Sequence, residues 1–328
     1  MTTQTRRFGG PDRDPRDELA GMRQELEERI AFLLADGEHR GHADMLSLAM
    51  RAGALSAGKR MRPLLLMLVA RDLGCASPAV IDVACAVELV HAASLMLDDM
   101  PCMDNAMLRR GKPAVHVQYG EDVTILASIA LLSRAFSILA SIQDVAPLTR
   151  TRLVNRLAET IGAQGLVRGQ FMDLRGGAHS VAEIAATNEL KTGVLLGVAV
   201  DMAAILAQTE DSVGDALRAF ALAAGQAFQI RDDFQDGADS SLTGKDTGKD
   251  EGKSTFVNAL GRDEARRRLS IHLMEADRHL GAALKGRQRT RGFVRALFSQ
   301  GVPDAFHAPG IGALVHAEAG STRDARIG

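Results

Sequence analysis

Apolar residues recur along much of the chain at spacings of three and four positions, which is the period of an amphipathic α-helix. Alternation with a period of two is nowhere sustained, so the pattern predicts no β-sheet. The segments with helical character cover approximately residues 15–34, 45–54, 64–70, 78–99, 122–139, 148–161, 181–190, 211–233, 262–283 and 290–300. The chain is therefore predicted to have an all-α fold.

Residues 16–300 are predicted to form a single domain, between a disordered N-terminal segment, residues 1–15, and a loose C-terminal tail, residues 301–328. The first flank is polar, the second carries mixed charge, and both contain Gly and Pro. With 46% hydrophobic and 24% charged residues, the chain can bury a sizeable core. Its net charge of −2 gives no reason to expect nucleic acid as a partner.

The three cysteines lack metal-ligand spacing, which fits a reducing cytoplasm better than a disulfide framework. Cys102 lies inside an acidic motif, and we interpret it as a small buried residue rather than a nucleophile. No uncharged apolar run approaches the roughly 18 residues that a membrane span requires. The segment between Asp122 and Arg134 contains 11 such residues. We therefore predict a cytoplasmic protein without a transmembrane segment.

Two acidic clusters each close an apolar helical stretch. Asp98 and Asp99 end the first stretch, and Pro101 should end or kink the helix so that Asp104 can return toward them. The second cluster consists of Asp232, Asp233 and Asp236. Like charges four residues apart destabilise a helix unless something positive lies between them. The pattern predicts two carboxylate walls that hold a divalent metal between them.

Two basic turns accompany these clusters. The first contains Lys59, Arg60 and Arg62, and the second contains Arg109 and Arg110. Arginine suits bidentate contacts with phosphate, although a solvated basic loop is an equally good interpretation of the first turn alone. Hard carboxylate oxygens favour Mg²⁺ over zinc, and Mg²⁺ commonly bridges carboxylates to phosphates. Apolar helices beneath the acids indicate a ligand in which a hydrocarbon chain is attached to a diphosphate.

Three further features have two interpretations each. His91 shares a helix face with Asp98, so it is either a ligand-binding residue or an ordinary core histidine. Lys191, beside Thr192, interrupts an apolar stretch and needs a partner or must extend to solvent. The segment 237–254 carries Lys245, Lys249 and Lys253, and reads as a mobile basic loop over the site or as a solvated surface loop.

Taken in order, the motifs resemble those of the trans-isoprenyl diphosphate synthases (polyprenyl synthetases), most of all the bacterial geranylgeranyl diphosphate synthases of carotenoid pathways. The resemblance runs from about residue 58 to residue 256. It rests on Gly58-Lys59-Arg60-Met61-Arg62-Pro63, Asp98-Asp99 with Asp104, Leu108-Arg109-Arg110-Gly111, His116 with Tyr119-Gly120, Gly169-Gln170 with Asp173, Lys191-Thr192, Asp232-Asp233 with Asp236, and Gly252-Lys253-Ser254-Thr255.

The resemblance implies a homodimeric helical bundle around a central cavity, with three Mg²⁺ ions per active site. It also implies prenyl transfer from dimethylallyl, geranyl or farnesyl diphosphate to isopentenyl diphosphate. Asp98, Asp104 and Asp232 would bind Mg²⁺ with the allylic diphosphate. The residues that would assist them are Arg109, Lys191, Thr192, Gln229, Lys245 and Lys253. Isopentenyl diphosphate would be held by Lys59, Arg62, His91 and Arg110, and the carboxylate walls would be completed by Asp99, Asp233 and Asp236.

The product length can also be predicted. Ala93 and Ser94 precede Asp98 by five and four residues, beneath the predicted metal site. In relatives that stop at fifteen carbons, one of these positions is typically aromatic. The small residues here favour a twenty-carbon product, with fifteen or twenty-five and more carbons as alternatives. Ala57, Asn105 and Ala106 depart from the family pattern without removing a principal ligand.

Two other classes compete with this interpretation. A terpene cyclase shares the metal chemistry, but it usually keeps only one aspartate-rich motif and lines its pocket with aromatics. This chain has both motifs, no Trp and one Tyr. A non-catalytic regulatory subunit should have lost aspartates or arginines, whereas the set here is complete.

Overall fold

The computed structural model describes residues 15–35, 44–175, 180–236 and 255–299, without the side chains of Pro15, Gln235 and Asp236. The predicted N-terminal segment up to residue 14, the loop 237–254 and the tail from residue 300 lie outside the described residues. The α-helices are α1 (Pro15–Leu33), α2 (Met45–Ala54), α3 (Met61–Asp72), α4 (Ala79–Asp98), α5 (Val115–Tyr119), α6 (Glu121–Ser141), α7 (Pro147–Ile161), α8 (Leu166–Arg175), α9 (Val181–Asn188), α10 (Val194–Ala207), α11 (Asp211–Asp236), α12 (Phe256–Leu260), α13 (Arg262–Leu284) and α14 (Arg289–Ser299).

Helices α4 and α10 lie at the centre of the bundle. Both are apolar almost all round, and a helix of that kind is stable only when neighbours cover every side. α4 packs against α1, α2, α3, α6 and α10, and α10 also packs against α3, α7 and α11. The principal core contains fully buried residues from both helices, among them Leu89 and Val198. The predicted all-α fold is confirmed.

A second, smaller core joins the end of α11 to the C-terminal helices. Ile230 of α11 packs there with Phe256 of α12, Leu269 of α13 and Phe298 of α14. α11 and α13 run against each other over much of their length. The second acidic motif therefore stands on a separate support from the first, which ends the central helix α4.

The prediction that no strands occur was wrong at one place. Leu108–Arg109 (β1) and Lys112–Pro113 (β2) form a two-stranded antiparallel hairpin. Its two loop residues, Arg110 and Gly111, both have positive φ, at 55° and 75°. That conformation closes a two-residue hairpin whose twist matches the strands. Two-residue strands are too short to produce a recognisable period-two pattern.

The predicted helix 181–190 ends earlier and continues in another form. Ser180 and Glu183 form the predicted capping box at the start of α9. After Asn188 the chain makes a π-helical turn, Glu189–Gly193, before α10 begins. Gly169 of α8 packs against the backbone of this turn so closely that a Cβ would overlap it. The interruption predicted around Lys191 is therefore a widened helical turn held by a neighbouring helix.

Three helical stretches in the described part of the chain are long and apolar enough to cross a membrane by length and composition: Ala79–Asp98, Glu121–Ser141 and Val181–Ala207. The sequence-based expectation missed them because it considered only uncharged runs. In this fold the apolar windows of the first and third are 61% buried against other helices, and that of the second is 39% buried. The second, α6, therefore keeps a largely apolar face uncovered.

Candidate functional site

The first acidic wall forms where α4 ends. Asp98 is the last helical residue and Asp99 caps the helix. The following chain turns back at once, because the backbone N–H of Asp104 donates to the carbonyl of Asp98 at 2.9 Å. The N–H of Ala106 donates in turn to the carbonyl of Asp99 at 3.1 Å. The predicted return of Asp104 toward the end of the helix is confirmed.

Burial raises the pKa of Asp98 to about 6. Lys191 opposes this shift, whereas the negative charges of Asp104 and Asp99 add to it. Burial disfavours the charged form of a carboxylate, and a nearby cation favours it. The structure thus brings Lys191 within electrostatic reach of the first wall and leaves that wall able to accept a cation.

Asp99 faces the protein rather than the open side of the wall. Its carboxylate, 4% exposed, forms a bidentate ion pair with Arg109 in which Nε lies 3.0 Å from each oxygen. Burial lowers the pKa of Arg109, but the hydrogen bond to Asp99 and the negative charges of Asp99, Asp98 and Asp104 together raise it overall. The pair fastens the hairpin to the end of α4, and both members were predicted as site residues.

The second acidic wall lies near the end of α11. The side chain of Asp232 is 31% exposed, and Nη2 of Arg231 lies 3.3 Å from its Oδ1. Asp233 accepts hydrogen bonds from Nε2 of Gln229, at 3.1 Å, and from the backbone N–H of Phe256, at 2.8 Å. The side chain of Asp236 is outside the described residues.

Arg231 was missed by the sequence analysis. Its guanidinium lies 4.2 Å from the ring centre of Phe228 and 5.4 Å from that of Phe298. It also donates to the carbonyl of Leu297 at 2.9 Å. Arg231 therefore connects the second wall to α14. The sequence alone does not indicate this contact, because it depends on where α14 packs.

A basic pocket borders α4 one to two turns below Asp98. Nη1 of Arg62 lies 3.1 Å from Nε2 of His91. Burial, followed by the charge of Arg62, holds the pKa of His91 well below its usual value. His91 is thus neutral, so its Nε2 accepts from Arg62. Two buried atoms here, Nε of Arg62 and Nδ1 of His91, have no hydrogen-bond partner within the described part of the chain. Unpaired buried donors of this kind indicate a place for a ligand or water.

Arg110 closes the same pocket from the hairpin. Its Nη1 donates to the side-chain oxygen of Ser56 at 3.2 Å. Gly58 allows this approach, because a Cβ at that position would overlap the guanidinium. Burial lowers the pKa of Arg110, and Glu88 opposes that shift. Lys59, also predicted for this pocket, is exposed beside the turn.

Lys191 and Thr192 project from the π-helical turn between the two walls. Nζ of Lys191 forms an ion pair with Oδ2 of Asp173, on α8, at 2.5 Å. Oγ1 of Thr192 lies 3.4 Å from Oε1 of Gln229, which itself bonds Asp233. Of the predicted site residues, Thr192 and Gln229 therefore lie beside the second wall, and Lys191, on the same turn as Thr192, acts on Asp98 of the first.

The two residues predicted to limit product length differ in their surroundings. Ala93 is fully buried in the principal core. Ser94 is partly exposed, and its hydroxyl donates to the carbonyl of His91 at 2.9 Å. Ser94 is therefore the residue of the two that a molecule beneath the first wall would meet.

Metal donors in the site are divided between the walls. Within residues 15–35, 44–175, 180–236 and 255–299, no three His, Cys, Asp or Glu side chains already form a metal-binding group. The available donors are carboxylate oxygens, and at Asp98 burial, followed by the charges of Asp104 and Asp99, raises the pKa, which a bound cation would lower again. This arrangement fits Mg²⁺, which prefers oxygen and is usually completed by substrate phosphates and water.

A surface groove of about 740 Å³ lies away from these residues. It is bordered by the start of α4 and by parts of α1 and α6, and includes Asp82 and Arg134. Arg29 pairs with Asp82 there at 2.6 Å, and Arg134 donates to the carbonyl of Leu33. Its charged groups hold neighbouring helices together, so we do not assign the groove to the site.

Comparison with known proteins places the chain in a family. It matches the polyprenyl synthetase family over residues 43–282. It is 47% identical to a geranylgeranyl diphosphate synthase of Pseudescherichia vulneris, covering 88% of this chain and 94% of the relative. It is 38% identical to a farnesyl diphosphate synthase of Bacillus subtilis, covering 80% and 90% respectively. The chain belongs to the polyprenyl synthetase family.

Solved structures agree with this assignment. An FPP/GFPP synthase of Zymomonas mobilis superposes with a TM-score of 0.76 at 32% identity, covering 87% of this chain and 97% of that one. A geranyltransferase of Helicobacter pylori, crystallised with magnesium and isoprenyl diphosphate, has a TM-score of 0.75 at 26% identity, covering 89% and 98%. The fold is that of the isoprenyl synthases, and the chain is a prenyltransferase.

Proposed function

We propose that this protein makes geranylgeranyl diphosphate by head-to-tail condensation of isopentenyl diphosphate with dimethylallyl, geranyl or farnesyl diphosphate. The observation that carries the proposal is the arrangement of the two sites along α4. Asp98 ends the helix beside the other acidic residues of the first wall. His91 lies seven residues earlier, in a basic pocket with Arg62. One helix thus presents a cation site and an anion site at a separation of about 10 Å along its axis.

The allylic diphosphate is assigned to the space between the acidic walls. Asp98, Asp104 and Asp232 would hold Mg²⁺, with three ions per active site as the family resemblance implies. Lys191 and Thr192 extend from the π-helical turn and Gln229 from α11, and all three would contact the diphosphate. When bound, Mg²⁺ neutralises the charge that accumulates on the leaving diphosphate as the allylic C–O bond ionises.

Isopentenyl diphosphate is assigned to the basic pocket. Arg62 and Arg110 supply planar guanidinium groups suited to phosphate oxygens, and Lys59 adds a point charge. Neutral His91 orients Arg62 through Nε2 and has Nδ1 available to donate. These residues keep the isopentenyl double bond near the allylic carbon, so the two substrates react from a fixed relative position rather than after a random encounter. The proton lost at the end is assigned to the released diphosphate.

Asp99, Arg109 and Asp233 support the walls through the ion pair and hydrogen bonds described above. The assignments of Asp236, Lys245 and Lys253 stay predictions from sequence, because the relevant atoms lie outside the described residues. Water must be excluded from the cation, and the segment 237–254 is the predicted cover. The cytoplasmic location likewise stays an expectation from the cysteines and the apolar runs, and the carotenoid pathway an expectation from the resemblance.

We also propose that the protein is a homodimer that associates through α6. Ile125, Leu126 and Ile129 lie on one face of this helix and are 42%, 57% and 57% exposed. Val117 of α5 adds to the same region and is 42% exposed. Contiguous exposed apolar residues are typical of homodimer interfaces. Ile129→Glu should shift the protein from dimer to monomer in analytical ultracentrifugation, whereas Met274→Glu, an exposed apolar residue of α13, should not.

The product assay tests the proposed function directly. The purified protein is incubated with Mg²⁺, isopentenyl diphosphate and farnesyl diphosphate, and the prenyl alcohols are identified after dephosphorylation. A C20 alcohol is the expected product. C25 or longer alcohols would keep the chemistry and contradict the assignment of product length. Absence of product with every allylic substrate would favour a regulatory subunit.

A further inference from the structure

Arg60 lies between the two cations assigned to isopentenyl diphosphate, but its own side chain is directed into the protein. Its side chain is 1% exposed. It donates to Oε1 of Glu88 at 2.7 Å, to Oε1 of Glu27 at 3.1 Å and to the carbonyl of Ser56 at 2.9 Å. These acceptors belong to α4, α1 and the turn after α2, so Arg60 joins three parts of the fold.

The backbone at Arg60 explains why such an anchor is needed. Its φ and ψ are 48° and 34°, a left-handed conformation that is unfavourable for a residue with a Cβ. The turn places Lys59 on the surface, while Arg62 enters the fold beside His91. Surrounding structure must hold an unfavourable backbone conformation in place. The buried hydrogen bonds of the Arg60 side chain provide that hold.

Glu88 is the buried member of this set. Its side chain is 4% exposed, compared with 41% for Glu27. It lies one turn before His91 on α4, directly below the basic pocket. Glu88 acts electrostatically on both Arg62 and Arg110, where it opposes the effect of burial. It therefore supports the pocket in two ways, through Arg60 and through its charge.

We propose that Glu88 and Arg60 are positioning residues for isopentenyl diphosphate, and that their buried ion pair holds the basic turn in its binding conformation. The proposal rests on the function proposed above, and neither residue is required to touch the substrate. We therefore expect the two substrates to be affected differently. Loss of the pair should weaken binding of isopentenyl diphosphate and leave the allylic diphosphate, which lies between the acidic walls, almost unaffected.

The test compares KM for the two substrates in five proteins: the parent, Glu88→Gln, Glu88→Met, Arg60→Met and the double variant Arg60→Met/Glu88→Met. Gln keeps an oxygen that accepts from Arg60, so KM for isopentenyl diphosphate should stay within about threefold of the parent. Either Met variant should raise it by about tenfold or more. KM for farnesyl diphosphate should stay within about twofold in every protein.

The double variant protects the test against simple unfolding. Arg60→Met leaves the buried charge of Glu88 uncompensated, and Glu88→Met leaves Arg60 with only the partly exposed Glu27, whereas replacing both buried partners by apolar residues often restores stability. The double variant should therefore melt close to the parent and still show the raised KM for isopentenyl diphosphate. A matched control is Arg156→Met, which disturbs the partly buried Arg156–Asp201 pair between α7 and α10. It should lower Tm and leave both KM values unchanged.

Two outcomes would overturn the proposal: a folded double variant whose KM for isopentenyl diphosphate is within twofold of the parent, or KM values for both substrates that rise together. Turnover by the parent separately tests the proposed function. If the parent makes no product, Kd for isopentenyl diphosphate is measured by calorimetry in the parent and the double variant. A tenfold difference in Kd would still support the positioning role, and equal values would reject it.

Discussion

The two acidic motifs carry the same pair of adjacent aspartates, but they are held by different means. At the first motif the chain folds back within a few residues, and Asp99 binds Arg109 of the neighbouring hairpin. At the second, α11 continues to Asp236, and Asp233 receives the backbone N–H of Phe256, beyond the segment 237–254. Asp99 of the first wall is thus held by an ion pair with a residue nearby in the sequence. Asp233 of the second wall is held by a neutral backbone N–H from a residue farther along the chain.

In each motif, however, the two aspartates divide in the same way. Asp98 and Asp232 are partly accessible, and Asp232 contacts only its neighbour Arg231 among the contacts given above. Asp99 and Asp233 instead accept hydrogen bonds from other elements, Arg109 of β1 and Phe256 of α12. The reason is helical geometry, because successive side chains point about 100° apart and cannot both face one site. On the proposed function, each acidic pair would supply one carboxylate to the site and one to its support.

The largest expected effect concerns the accessible member of each pair. Asp98→Asn and Asp232→Asn should each lower kcat by about a thousandfold, because each removes an anionic oxygen ligand from the proposed metal site. Steady-state kinetics with farnesyl diphosphate measures this effect. Tm should change little, and Asp144→Asn, at an exposed loop position, should keep parent activity. A loss below tenfold in either variant would contradict the assignment of that wall.

The supporting aspartates should differ from each other in stability. Asp99→Asn removes the charged partner of Arg109 from a largely buried pair and should cost about 3 kcal/mol. Asp233→Asn keeps only one of the two oxygens, which accept separately from Gln229 and from the N–H of Phe256, so it loses one neutral hydrogen bond and should cost about 1 kcal/mol. Urea unfolding of both variants measures the difference. Equal losses would mean that the two walls are held with similar strength.

The product-length prediction concerns what lies one turn beneath each wall. Ser94 stands beneath Asp98, and the bulkier Phe228 stands beneath Asp232. If the growing chain passes the first wall, Ser94→Phe should change the main product from C20 to C15, as measured by chromatography of the alcohols. Ser94→Ala should keep the C20 product. An unchanged product from Ser94→Phe would place the chain elsewhere.

Ala93 provides a contrast to Ser94 on the same helix. Because Ala93 is fully buried in the core, Ala93→Phe should overpack it and cost about 1–3 kcal/mol of stability. Its Tm should fall by more than that of Ser94→Phe. A well-folded Ala93→Phe protein that releases only C15 product would show that Ala93 borders the cavity instead.

The smallest expected effect lies in the network of the second wall. Thr192 reaches Gln229 over 3.4 Å, which is long for a hydrogen bond. Thr192→Val should therefore raise KM for the allylic diphosphate by only about threefold. Thr192→Ser, which keeps the hydroxyl, should match the parent. A loss of a hundredfold or more would show that the hydroxyl contacts the reacting groups directly.

Local sequence determined the helices and the ends that matter for the site. The apolar period predicted most helices to within a few residues, because side-chain burial follows the helical turn. Pro101 correctly indicated the end of α4 beside Asp98, and Ser180 with Glu183 indicated the start of α9. The order of the motifs also identified the family, because the spacing of acidic and basic residues along the chain reflects the chemistry they serve.

Only the tertiary structure decided which partner each charged residue takes. Arg109 and Arg110 are adjacent, yet one binds Asp99 and the other reaches Ser56, 54 residues away. Likewise Arg60 turns inward to Glu88, whereas Arg62 meets His91. Ion pairs form between groups that packing brings within a few ångströms, and a helical period carries no record of those distances. For that reason the sequence predicted the residues of the site, and the fold determined which partner each charged residue takes.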